Sequence, residues 1–276
     1  MNFKHLFPTF RNRYRFVREQ VNRLSKQHTF EQALNLGTGE GDYDRMLAGY
    51  CRELVGCDVN EDDLSHARSV NQGVMNLRYE VNDALNLSYA NDSYDLVVSC
   101  EVIEHVGNPE RMLAEIFRVL KPGGYAVLTF PSREFPFTYD PVNRIGHWLH
   151  QPGRPEYLIH QGAYAFGHDY LIPAVPFKRW ATDLGFEIHA FHPLSGYLVG
   201  LLEMYWTGLA QRLFKKNARN LDADERNKVV LRPGTADAPA LAAVTDAVLF
   251  VDRELFTGKK FSVGKGVVLH KPNRNN

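Results

Sequence analysis

Three glycines at alternate positions, Gly37, Gly39 and Gly41, follow a short apolar run. Their spacing is the first motif along the chain that indicates a ligand-binding site. Because glycine has no Cβ, the backbone can turn sharply after a strand and let a ligand lie directly against its amides. The stretch therefore predicts a strand, a tight turn and a helix start, and it favours a nucleotide-like cofactor. The dinucleotide fingerprint is not met, since its third glycine would stand at position 42, which is Asp42.

Two carboxylates, Glu40 and Asp42, accompany these glycines. Negative charge at a helix N-terminus would repel a pyrophosphate, which such a terminus otherwise attracts. S-adenosylmethionine (SAM) has an adenosine, no phosphate, and positive sulfonium and amino groups, so it suits an acidic glycine turn better. The sequence here resembles the class I SAM-dependent methyltransferases, whose first motif is an acidic residue followed by G-x-G-x-G. It departs from that motif at Asn35, whose amide can accept a hydrogen bond but has no charge to pair with the methionine amino group.

Two further acids stand at the ends of predicted strands. Asp58, followed by Val59, lies about one βαβ step beyond the glycines, where a carboxylate can accept hydrogen bonds from both ribose hydroxyls. The resemblance implies that Asp83 and Ala84, at the end of the third strand, contact the adenine, with the acid accepting from the exocyclic amine. The complete predicted cofactor set is Asn35, Gly37, Gly39, Gly41, Asp58, Val59, Asp83, Ala84 and Glu101.

The catalytic candidates begin after the fourth predicted strand, with Glu101, Glu104 and His105 at the edge where an open α/β sheet presents its ligand crevice. This Glu-x-x-Glu-His resembles a divalent-metal motif of quinone-precursor O-methyltransferases. It also resembles one of small-RNA 2′-O-methyltransferases, in which a later histidine joins, and His168 matches that place. The resemblance implies Mg²⁺ or Mn²⁺ held by these three residues and His168, which would lower the pKa of an acceptor hydroxyl.

Two alternatives to a metal stay open. His105 or His168 can act as a general base, because imidazole titrates near the operating pH. Otherwise, Glu104 and His105 brace the cofactor loop, as in metal-free relatives that share Glu-His here.

Residues 131–173 carry few strand or helix signals but many aromatic residues and histidines, and they predict a large insert at the active-site edge of the sheet. Loops at that edge select substrates, while a structural role in loop packing is the alternative for most of these histidines. The candidate acceptor contacts are Tyr139, Asp140, Arg144, His147, Trp148 and Tyr164.

Strands that alternate with helices predict an α/β fold, with a parallel sheet covered on both faces. The resemblance, to methyltransferases of type 11 and quinone-precursor O-methyltransferases, covers residues 31–132. It implies a Rossmann-like, seven-stranded, mostly parallel sheet with an antiparallel last strand and substrate-side insertions. The predicted organisation is a basic helical arm at 1–30, a SAM-binding core at 31–194 that includes the insert 131–173, a helical and loop insertion at 195–260, and the final strand with a tail at 261–276.

The composition of the chain limits the classes of binding partner and the cellular compartment that can be expected. Lys and Arg number 32 and so do Asp and Glu, so no global field attracts nucleic acid, which makes it an unexpected partner. Three cysteines without metal-like spacing, and an N-terminus without an apolar signal core, predict a cytoplasmic protein.

Two segments raise the prospect of peripheral membrane contact. Residues 1–28 are basic, with a helix predicted from Pro8 to Ser25 and an apolar stripe formed by Phe10, Tyr14, Val17, Val21 and Leu24. This arm either lies on the domain with a solvated cationic face or acts as a lid that binds anionic lipid, phosphate or nucleic acid. Residues 198–214 are almost uncharged and predict a buried helix or dimer surface, with an interfacial helix near lipid as the alternative.

The functional prediction is methyl transfer from SAM to an acceptor oxygen of a small molecule: a phenol, a sugar or a lipid-linked acceptor. An RNA 2′-O-methyltransferase is the enzymatic alternative, suggested by Glu101, Glu104, His105 and His168. A SAM-binding protein without turnover is the alternative from another class, and it rests on Asn35.

Overall fold

Seven strands form one sheet in the computed structural model, which describes residues 1–133, 171–202, 221–223, 229–231, 234–235, 237–256 and 262–273. In chain order the strands are β1 (Phe30–Leu36), β2 (Cys51–Asp58), β3 (Leu77–Val81), β4 (Tyr94–Cys100), β5 (Leu120–Pro131), β6 (Glu187–Leu194), β7 (Leu221–Ala223), β8 (Val229–Leu231) and β9 (Gly264–His270). Strands β7 and β8 pair only with each other, as a separate antiparallel ribbon.

The main sheet has the order β3-β2-β1-β4-β5-β9-β6. Strands β1 to β5 are parallel, whereas β9 runs antiparallel to both of its neighbours, β5 and β6. The predicted mostly parallel sheet with an antiparallel last strand is confirmed. The third strand ends at Val81 rather than at Asp83, so the predicted adenine contact lies in the loop after the strand.

Helices cover both faces of the sheet. After a 3₁₀ turn at Phe3–Leu6, they are α1 (Pro8–Ser25), α2 (Asp44–Ala48), α3 (Glu61–Val70), α4 (Pro109–Val119), α5 (Ala174–Asp183), α6 (Tyr197–Leu201) and α7 (Ala242–Leu255). Two of them begin at a capping asparagine: the side chain of Asn60 accepts a hydrogen bond from the Asp62 amide, and that of Asn108 accepts one from the Arg111 amide.

Two apolar clusters fill the space between the sheet and these helices. Val97 of β4 packs in the cluster that contains α4 and α5, while Leu96 and Val98 pack in the cluster that contains α1 and α2. Successive residues of a strand point to opposite faces, so an almost continuous apolar run marks a strand that is buried on both sides.

The N-terminal arm lies on the domain. The predicted stripe is confirmed, since Phe10, Val17, Val21 and Leu24 are buried and Tyr14 is half-buried. The arm is also tied to α7, because the guanidinium groups of Arg11 and Arg15 lie 2.9 Å and 3.2 Å from the Asp246 carboxylate. The exposed cations Arg18, Arg23 and Lys26 leave a partly solvated cationic face.

No helix in the described part of the chain is long and apolar enough to cross a bilayer. Of the almost uncharged segment 198–214, only residues up to 202 are among those described, so its predicted roles stay predictions.

Candidate active site

A cavity of about 1050 Å³ lies at the carboxyl ends of β1, β2 and β4, where the predicted cofactor residues meet. The residues of the predicted set that line it are Asn35, Gly37, Gly39, Asp58, Val59, Asp83, Ala84 and Glu101. Gly41 is not among them. It faces α3, where a Cβ would lie 2.5 Å from Asn71 Nδ2, so its role is close packing beneath the turn.

The glycine turn is fixed to the end of β2. The Gly37 amide donates to the Cys57 carbonyl at 2.8 Å, and the Gly39 amide donates to Asp58 Oδ2 at 2.9 Å. The other oxygen of Asp58 accepts from the Asn60 amide at 3.0 Å. Each carboxylate oxygen can accept a second hydrogen bond, so Asp58 is held in place and still able to bind ligand hydroxyls.

Asn35 donates to a buried carboxylate that the sequence analysis missed. Its Nδ2 lies 2.6 Å from Asp44 Oδ1, and the hydroxyls of Thr38 and Tyr79 donate to Asp44 Oδ2 at 2.6 Å and 2.7 Å. Burial raises the pKa of Asp44, and these three hydrogen bonds oppose that rise. The acid that the family motif has at position 35 is thus replaced by an amide paired with an acid on α2. Nothing in the spacing distinguished Asp44 from its neighbour Asp42.

The two acids of the glycine turn are not free charges. Lys4 Nζ lies 2.6 Å from both Glu40 Oε2 and Asp42 Oδ2, and Asn2 also donates to Asp42. Burial lowers the pKa of Lys4, but Asp42 and Glu40 outweigh that effect and the pKa is raised. The repulsion of phosphate expected from this pair is therefore weaker than the sequence suggested, since the arm supplies a compensating cation.

Arg13, on helix α1 of the arm, also lines the cavity. From the sequence it was predicted only as part of the basic arm. Arg13 Nη1 lies 3.1 Å from Glu101 Oε2, and Lys4 and Phe10 line the same cavity. Glu101 adopts a φ of 58°, in the left-handed region that non-glycine residues seldom occupy. Such backbone strain is common at functional sites.

Glu104 lies behind the cavity wall with its side chain fully buried. Neither of its carboxylate oxygens has a hydrogen-bond partner among the described residues. Burial, and then the nearby charge of Glu101, raise the pKa of Glu104 well above its ordinary value. His105 is about half exposed, lines the cavity, and holds its Nε2 3.8 Å from Glu104 Oε1. A histidine that lines a ligand cavity and has a carboxyl group close to its ring is suited to accept a proton.

The described members of the predicted metal set do not converge on a common position. Within the described part of the chain, the ligand atoms of Glu101, Glu104 and His105 do not all lie within 4.8 Å of one another. The fourth member, His168, lies outside the described residues. A metal bound by these four residues stays a prediction, and the reaction below is argued from the side chains alone.

The predicted acceptor contacts also lie outside the described residues and stay predictions. They are Tyr139, Asp140, Arg144, His147, Trp148 and Tyr164.

Replacement of Glu104 by glutamine is expected to change the pH dependence of stability. Above pH 4.5, the ordinary pKa, the unfolded chain releases this proton while the folded protein retains it up to its raised pKa. The parent protein therefore loses stability as the pH rises through that window, and Glu104→Gln does not. Urea unfolding at about pH 4 and about pH 8 measures the difference. Glu254→Gln, an exposed carboxylate on α7, is the control, and an equal pH response in both variants would contradict the prediction.

Comparisons with known proteins point to one kind of domain. Residues 34–128 match the family model described as Methyltransferase domain. The ubiquinone/menaquinone biosynthesis C-methyltransferase of Hydrogenovibrio crunogenus is 33% identical over 118 residues, which cover 38% of this chain and 46% of that protein. The ubiquinone biosynthesis O-methyltransferase of Coxiella burnetii is 27% identical over 124 residues, covering 45% of this chain and 51% of that protein. The chain thus spans about half the length of the curated relatives that it matches.

A solved structure shows the same fold over most of the chain. Phosphoethanolamine N-methyltransferase 2 of Haemonchus contortus, in complex with S-adenosyl-L-methionine, superposes with a TM-score of 0.56 at 16% identity. The match covers 93% of this chain and 52% of that one.

Proposed function

We propose that the chain carries a class I SAM-dependent methyltransferase domain and that it transfers the methyl group of SAM to an oxygen of a small-molecule acceptor. One observation carries the proposal: Asp58 and Asp83, which end or follow successive parallel strands, face one cavity together with the glycine turn. A carboxylate at each of these places supplies hydrogen-bond acceptors for the ribose and the adenine of one nucleoside.

In this proposal, different residues of the cavity bind different parts of SAM. Asp58 accepts from the ribose hydroxyls and Asp83 from the adenine amine, while the exposed side chain of Val59 covers the nucleoside. Arg13 binds the methionine carboxylate, for which its planar guanidinium is well shaped, and Glu101 faces the methionine amino group. Together these side chains would hold the methyl donor in the cavity.

Methyl transfer is an in-line displacement, so the main contribution of the protein is the alignment of nucleophile, methyl group and sulfur. An acceptor hydroxyl must also lose its proton as the new bond forms. His105 is placed to take that proton, because it lines the cavity and is about half exposed. The buried carboxyl of Glu104 behind it favours the resulting imidazolium whenever that carboxyl is ionised.

The names of the relatives include both an oxygen and a carbon acceptor, so a carbon acceptor is the second candidate. The Coxiella burnetii relative is named an O-methyltransferase of ubiquinone biosynthesis, and the Hydrogenovibrio crunogenus relative is named a C-methyltransferase of ubiquinone and menaquinone biosynthesis. Both names point to aromatic acceptors, and a phenol offers both kinds of nucleophile. Incubation with methyl-labelled SAM and a panel of catechols and hydroquinones, followed by NMR of the products, separates a methoxy group from a ring methyl group.

His105→Asn is expected to lower turnover of the best acceptor by about 100-fold to 10,000-fold, the usual contribution of a general base. The affinity for SAM should change little, because the proton acceptor acts on the other substrate. Turnover is followed by formation of S-adenosylhomocysteine, and SAM binding by calorimetry. His192→Asn, an exposed histidine of β6, is the control. Unchanged turnover would remove His105 as the base. SAM binding without turnover of any acceptor would favour the non-catalytic alternative.

A further inference from the structure

A second cluster of possible ligands lies at the opposite edge of the sheet. Glu187 and His189 of β6 and His270 of β9 bring one ligand atom each within 4.8 Å of one another. Glu187 Oε2 lies 2.8 Å from His270 Nδ1 and 3.7 Å from His189 Nε2. Glu187 and His189 are exposed and His270 is half-buried, so the group is open to ions from solvent.

Strand register produces this convergence. Glu187 is the direct antiparallel partner of His270, and His189 stands two residues farther along β6, on the same face. The strand pairing is irregular between Ile188 and Ala190, the two neighbours of His189. Two different strands thus supply the group, which a search of sequence spacing alone could not find.

Tyr125 of β5 forms one side of the cluster. Its ring stacks on His270 with centroids 4.7 Å apart and meets the His189 ring edge-on at 5.5 Å. The two histidine rings are themselves 4.8 Å apart. These contacts restrict both imidazoles in the orientation in which their nitrogens approach Glu187, so little side-chain entropy remains to be lost on metal binding.

We propose that Glu187, His189 and His270 form a Zn²⁺ site, with water completing the coordination. Two imidazoles and one carboxylate are a ligand set that zinc uses, whereas Mg²⁺ and Ca²⁺ prefer oxygen alone. Tetrahedral ligands at zinc bond lengths lie about 3.4 Å apart, within the range of the separations found here.

The zinc site is separate from the cofactor cavity. Tyr125 is the β5 partner of Leu96, which lies four residues before the cavity-lining Cys100, or about 13 Å along an extended strand. A metal here would join the edge strand β6 to β9, and it would bind only the folded chain. The expected effect is stabilisation of the sheet edge, which raises the melting temperature by roughly 5 °C at a zinc concentration one hundred times the dissociation constant.

The test is a titration of the chelator-treated full chain with Zn²⁺, Co²⁺ and Mg²⁺. We expect one Zn²⁺ per chain by calorimetry, visible absorption of bound Co²⁺ typical of low coordination number, and no stabilisation by Mg²⁺. His189→Asn, His270→Asn and Glu187→Gln should each weaken Zn²⁺ binding at least tenfold and remove the rise in melting temperature. His192→Asn, also on β6, should bind as the parent does.

Circular dichroism and SAM binding, measured without metal, establish that each variant is folded. Glu187→Gln and His189→Asn change exposed side chains, so they keep the test decisive if His270→Asn does not fold. Absence of Zn²⁺ binding at about 100 µM, or equal binding by the parent and all three variants, would overturn the proposal and leave Glu187 and His270 as an ion pair only.

Discussion

Asp58→Ala is expected to weaken SAM binding by about 30-fold to 1000-fold. The change removes acceptors for two ribose hydroxyls and also the acceptor of the Gly39 amide, which lies 2.9 Å from Asp58 Oδ2. Hydrogen bonds to a charged group contribute roughly 1.5 to 3 kcal/mol each, and partial replacement by water reduces the net loss to about 2 to 4 kcal/mol. Calorimetric titration with SAM measures it directly.

Two further variants separate the ligand contact from the support of the turn. Asp58→Asn retains an oxygen that can accept from Gly39 and loses the charge, so its affinity should fall between those of the parent and Asp58→Ala. Asp62→Ala, an exposed acid in the first turn of α3, should bind SAM as the parent does. Parent-like affinity of Asp58→Ala would contradict the assignment of the ribose site, and with it the proposed orientation of the cofactor.

Gly37→Ala is expected to destabilise the protein by about 2 to 5 kcal/mol. Gly37 has a φ of 72°, and a Cβ there would lie 2.3 Å from Val102 Cγ2. The left-handed backbone costs an alanine about 1 to 2 kcal/mol, and overpacking adds about 1 to 3 kcal/mol. Since 1 kcal/mol shifts the melting temperature of a chain of this size by roughly 2 to 4 °C, thermal unfolding detects the change readily.

Gly73→Ala is the matched control, because Gly73 also has a positive φ, of 89°, but a Cβ there would meet nothing within 4 Å. Its cost therefore reports backbone strain alone. The double variant Gly37→Ala/Val102→Ala should be more stable than the sum of the single changes predicts, by at least about 0.5 kcal/mol. Equal costs for the two glycine variants would show that Val102 rotates away from the new methyl group.

The elements of the fold were predictable because their signals are local. A near-continuous apolar run such as Leu96–Val98 fits a strand buried on both faces, and Asn60 followed by three acids fits a capped helix start. Boundaries were less certain. The third strand ends at Val81, where its pairing with β2 ends, and no residue type in Val81–Asp83 marks that point.

The cofactor residues were predictable for a related reason. In a parallel sheet, the carboxyl ends of successive strands lie at the same edge. Asp58 and Asp83 could therefore be assigned to one site from their positions in the chain. Lys4 and Arg13 could not, because a basic residue on a helix carries no sign of the distant acid that it faces. Asp44 was missed for the same reason, as its partners come from β1, the glycine turn and β3.

The position of β9 has a consequence for biosynthesis. This strand lies between β5 and β6 and pairs with both, although it is the last strand of the sheet to leave the ribosome. Until residues 264–270 emerge, β5 presents an unpaired edge and β6 has no partner among the strands of the sheet. Such edges are sites of mispairing between nascent chains. The sheet is therefore completed only after residues 264–270 have emerged, and loss of β9 would detach β6 from the sheet altogether.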